Sequence, residues 1–118
     1  MHSLKYRLMD GIKSNQENPD TFDIPSVTQK KSLEIGDFVK LGFLERPTTY
    51  NKNDTGGERM WLKVTEIQRV HRRGKYIQGE FRAKGTLDND PVFMPLKHGE
   101  VVQFQQYHIL DILKKQEN

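Results

Sequence analysis

One pattern occurs twice in the chain. Leu33-Glu34-Ile35-Gly36-Asp37-Phe38-Val39-Lys40-Leu41 and Leu96-Lys97-His98-Gly99-Glu100-Val101-Val102-Gln103-Phe104 both read Leu-x-x-Gly-acid-x-Val-x-apolar. Glycine tolerates the positive φ of a tight turn, and apolar alternation behind it marks a half-buried strand. Each copy predicts a turn that launches a β-strand. Two such launches in 118 residues point to a small, strongly bent sheet.

The rest of the chain supplies its partners. Leu4, Leu8 and Ile12 share one helical stripe and predict a helix over 3–13, weakened by Gly11. Residues 14–23 read as a polar linker, and Pro25 opens a short helix through Lys31. Strands are expected from Asp37 to Leu44, from Glu58 to Val70, from Tyr76 to Lys84 with a continuation to Leu87, from Val92 to Met94, and from Val101 to Tyr107. Residues 45–57 form a long polar loop, His71 to Lys75 a hairpin turn, and His108 to Leu113 a terminal helical turn. The fold class is mainly β: a small SH3-like barrel or curled antiparallel sheet with an N-terminal helical extension. An α+β roll is the alternative. The boundaries are an extension and linker over 1–32, one β-rich domain over 33–113, and a frayed tail over 114–118.

Composition narrows the chemistry. With no cysteine there are no disulfides, thiolate metal sites or cysteine nucleophiles. No apolar run is long enough for a membrane span, and the first residues lack the apolar stretch of a signal peptide, so a cytoplasmic location is expected. The net charge of +3 is modest but uneven. Residues 58–85 hold eight basic against three acidic side chains, while residues 1–57 balance. An electrostatic function belongs to this basic island.

Four ordered blocks carry a resemblance: Gly36-Asp37-Phe38-Val39, Glu58-Arg59-Met60-Trp61, Gly85-Thr86-Leu87-Asp88-Asn89-Asp90-Pro91, and Leu96-Lys97-His98-Gly99-Glu100. Over roughly residues 33–112 the chain resembles a family of small uncharacterised bacterial domains, the YegJ-like domain of unknown function. The resemblance implies a bacterial source and a compact domain. That family has no established activity, so it implies no catalytic residue.

Candidate contact residues cluster in the basic island. If Met60 and Leu62 fill the core, Trp61 lies on the outer face with Arg59 and Lys63, beside Tyr76 on the next strand. The alternative covers the sheet on both sides, by the N-terminal helix for example, and makes Trp61 core. Arg72, Arg73 and Lys75, with Arg69, Arg82 and Lys84 nearby, could form a phosphate-contacting arm. The bland reading of that arm is a solvated turn whose charge keeps sheet edges from aggregating.

Other chemistry fails on spacing. A calcium loop from Asp88 would need glycine at Phe93 and glutamate at Gly99. Asp88 and Asn89 are instead expected to bond their own turn backbone. The loop from Asn51 has Gly56 but ends on Leu62. His2, His71, His98 and His108 show no ligand spacing. No nucleophile elbow or phosphate-binding glycine loop is present. The expectation is a non-enzymatic module without metal, cofactor or membrane, binding a protein partner through the Trp61 strand face and the 45–57 loop. Nucleic-acid binding by the basic hairpin 69–84 is the alternative. An immunity-type toxin inhibitor is a weaker one, because nuclease inhibitors tend to be acidic mimics.

Overall fold

The computed structural model describes residues 5–45, 57–72, 75–92 and 94–116, and for 71–79 the backbone alone. Its body is one antiparallel sheet curled through half a barrel, so the fold is mainly β. The strands are β1 (Arg7–Leu8), β2 (Phe38–Leu44), β3 (Gly57–Arg72), β4 (Lys75–Leu87), β5 (Val101–Gln105) and β6 (Asp111–Leu113). They lie in the order β1-β2-β3-β4-β5, with β6 also on β2. Two short helices, α1 (Gly11–Glu17) and α2 (Val27–Lys31), precede β2.

Alternation decides which side of each strand is core. Val39, Leu41 and Phe43 on β2, Met60, Leu62 and Val64 on β3, Phe81, Ala83 and Leu87 on β4, and Val102 and Phe104 on β5 all point inward. Burying one large aliphatic or aromatic side chain contributes about 1.5–3 kcal/mol, so this one face dominates stability.

The two copies of the repeated pattern fold alike. In each, glycine holds a positive φ, 98° at Gly36 and 85° at Gly99. The acid's N–H closes the turn onto the carbonyl three residues back, Asp37 onto Glu34 at 3.1 Å and Glu100 onto Lys97 at 3.0 Å. Each carboxylate then accepts from the N–H of that same residue, at 2.9 Å from Glu34 and 3.2 Å from Lys97. Each turn also grips a neighbouring strand by two backbone bonds. Gly36 N–H donates to Val64 and Val64 N–H to Asp37, both at 2.8 Å. Gly99 N–H donates to Leu87 at 2.7 Å and Leu87 N–H to Glu100 at 2.9 Å. Leu33 and Leu96, which open the two copies, are both buried.

Three local expectations change. The N-terminal helix is displaced: Arg7 and Leu8 pair with Leu44 and Phe43 as β1, and the helix starts later, at Gly11. Asp10 explains the shift, because its carboxylate caps α1 by accepting from Lys13 N–H at 3.0 Å. Such a cap is worth about 1 kcal/mol and outweighs a stripe interrupted by glycine. Val92 and Met94 form no strand; their N–H groups donate to the Glu58 carboxylate at 2.8 and 2.6 Å. The C-terminal helical turn shifts back to a 3-10 turn at Gln106–His108, and Asp111–Leu113 instead pairs with β2 as β6.

The described part of the tail is anchored rather than frayed. Lys114 Nζ bonds the Asp37 carboxylate, and Lys115 N–H donates to it at 2.9 Å. The short helix expected to open at Pro25 is present as α2 but starts two residues later, at Val27, because Ser26 is its N-cap. Ser26 and Gln29 bond each other's backbone N–H, with Gln29 N–H donating at 3.1 Å and Ser26 N–H at 2.7 Å.

Candidate functional site

With Met60, Leu62 and Val64 inward, the intervening residues of β3 face out. Trp61 is half-buried on this outer face, and Lys63 and Arg59 beside it are exposed. Its backbone is fixed on both sides: across from Lys40 on β2, and against the 88–89 turn. There Asp88 N–H donates to the Trp61 carbonyl at 2.9 Å, and Trp61 N–H donates to the Asn89 side-chain oxygen. Asn89 thus braces the tryptophan strand instead of bonding its own turn, as the sequence had suggested. The Glu58 bonds to Val92 and Met94 hold the rest of that loop in place.

Cations rest on the aromatic rings. Lys40 Nζ lies 5.1 Å from the centre of the Trp61 ring, and the Arg59 guanidinium 5.2 Å from that of Phe22. Both are within cation–π range, worth about 0.5–1 kcal/mol at exposed sites. Phe22 comes from the segment after α1, so the N-terminal extension reaches the outer face without burying Trp61 fully. Between that segment and the sheet is a recess of about 160 Å³, lined by Phe22, Asp23, Lys40, Arg59, Leu110 and Asp111 among others.

Strand register extends the face. One row runs Leu113, Phe38, Lys63, Thr86, Val101 across five strands, each residue beside the next. Its two ends, Leu113 and Val101, are each 59% exposed. The row next to it carries Asp111, Lys40 and Trp61. On the other side, past a bulge between Val64 and Glu66, Lys84 and Arg82 stand opposite Glu66 and Gln68. Two sets of residues that the sequence offers separately, the Trp61 strand and the basic residues of the hairpin's second strand, therefore share one surface.

Not every basic residue joins it. The Arg69 guanidinium donates to the carbonyls of Lys31 and Leu33 at 3.3 and 3.0 Å and lies 5.2 Å over the Phe81 ring. It ties α2 to the sheet and takes no part in an arm. Arg72 pairs with Lys75, and Tyr76 with His71, in the backbone register of the hairpin. The side chains of Tyr76, Arg72 and Lys75, all of Arg73, and the 46–56 part of the loop lie outside the described residues.

Sequence reasoning missed Lys40, Phe22 and Asn89. Lys40 had a signal, since it alternates with Val39 and Leu41. Phe22 and Asn89 had none, because their roles depend on which strand they meet. His98 Nε2 lies 3.5 Å from Asp88, both exposed. No group of three or more histidine, aspartate or glutamate side chains able to hold a metal occurs among the described residues. No described helix is long and apolar enough to cross a membrane. Comparison with known proteins finds no matching family model, no matching curated protein and no matching solved structure.

Proposed function

We propose that this chain is a non-enzymatic binding module, an SH3-like small barrel of the bacterial cytoplasm related to the YegJ-like domains, that engages a protein partner through the outer sheet face around Trp61. The observation that carries the reading is Trp61 itself: a half-buried indole, braced through its backbone, with Lys40 over its ring and Arg59 and Lys63 on the same face of its strand. Tryptophan and arginine are the side chains most often found where interface energy concentrates.

Capture from native lysate on the immobilised chain, with and without nuclease, tests it. A protein partner retained after nuclease treatment and lost with Trp61→Ala is the expected result. Material that disappears on nuclease treatment, or that binds Trp61→Ala equally well, contradicts it.

A further inference from the structure

The charges around Trp61 specify the partner's chemistry, given the protein-binding reading. Lys40, Arg59, Lys63, Arg82 and Lys84 stand on the outer face; the carboxylates of Glu66, Glu80 and Asp111 share it, and Asp23 lines the recess beside Lys40 and Arg59. Glu66 lies 3.6 Å from Lys84, and one Asp111 oxygen accepts from the Ile112 N–H at 2.8 Å. Lys63 and Arg82 are exposed and form no ion pair among the described residues. The surface thus offers two cations without an ion pair, Lys63 and Arg82, on the same face as an aromatic side chain, with bare aliphatic side chains at both ends of its central row.

We propose that this face binds an acidic segment of a protein, its carboxylates meeting Lys63 and its neighbouring cations and its apolar side chains packing on Trp61, Leu113 and Val101. Charge complementarity picks this occupant, because carboxylates are steered to cations that lack a partner, here Lys63 and Arg82, and like charges are rejected there. Two features separate it from a nucleic acid. Arg69, in the middle of the basic run, is turned to backbone carbonyls. Leu113 and Val101 offer contacts suited to apolar side chains and none to phosphate.

Trp61 is the chain's single tryptophan, so its emission reports on this face directly. The full chain is titrated with a synthetic peptide of alternating Glu and Leu, with its Lys-and-Leu counterpart, and with oligothymidylate, at low and at physiological salt. The Glu-Leu peptide is expected to shift Trp61 emission saturably and to weaken about tenfold between the two salts. Lys63→Glu weakens it about tenfold more, with the far-ultraviolet circular dichroism unchanged. A stronger response to the Lys-Leu peptide overturns the acidic partner while leaving the protein-binding reading standing. A stronger response to oligothymidylate overturns both. Silence from every probe overturns the acidic partner alone, since the lysate capture decides the wider reading independently.

Discussion

Asp37 is fully buried yet charged, and the residues around it explain why. Burial alone would raise its carboxyl, but bonds from the Lys114 ammonium and from the Lys115 and Glu34 N–H groups outweigh that and hold it below the ordinary carboxylate range. Asp37→Ala leaves those donors without an acceptor and should cost about 3 kcal/mol in urea unfolding at neutral pH. Because the folded value is lowered, the contribution of Asp37 is complete above about pH 4 and is lost as pH falls through the folded value. The deficit of Asp37→Asn should therefore shrink in strong acid.

His108 acts in a different window. Burial pushes it down to about 4, against a weak opposing pull from Asp10, and its Nδ1 accepts from the Gln105 N–H at 3.0 Å. The unfolded chain binds the extra proton first, so stability falls as pH drops from about 6.5 toward 4. Free energies of unfolding at pH 7 and pH 5 should differ by about 2 kcal/mol from this residue, and His108→Gln should remove that difference.

The repeated turns are the elements that set the curl. Each lets one strand begin while gripping another, the first turn the middle of β3 at Val64 and the second the end of β4 at Leu87. A β-carbon at Gly99 would meet nothing within 4 Å, so Gly99→Ala isolates the penalty of positive φ, about 1 kcal/mol. At Gly36 the added carbon would stand 3.1 Å from the flexible Lys115 side chain, and a similar loss is expected. Gly85→Ala should cost more than either, since its β-carbon would come within 2.8 Å of the Lys63 carbonyl. Thermal unfolding of the three variants gives the order.

These turns and the four long strands were legible because glycine and alternation are local signals. The 3–13 segment misled because a partial helical stripe says nothing of a strand edge waiting at Leu44 and Phe43. The tail misled for a similar reason: its polar residues look unanchored until Asp37, far away in sequence, is placed beside them.

Across the fold, the quoted sequence blocks prove to be junctions that meet one another. Glu58 and Trp61 of one block bind the loop of the next, and Asp37 and Glu100 bind the strands between. The outer position of Trp61 followed from alternation, but its neighbours did not, because only register places Lys40, Thr86 and Val101 around Lys63 and Trp61. A surface assembled from five strands has no continuous trace along the chain. Placing a photo-crosslinking phenylalanine analogue at Val101, at the exposed end of the central row, and at Gln16, exposed on α1, compares this face with the helical extension in native lysate. The account predicts a discrete protein adduct from position 101 and none from position 16. Adducts from position 16 alone, or from neither position, would contradict it.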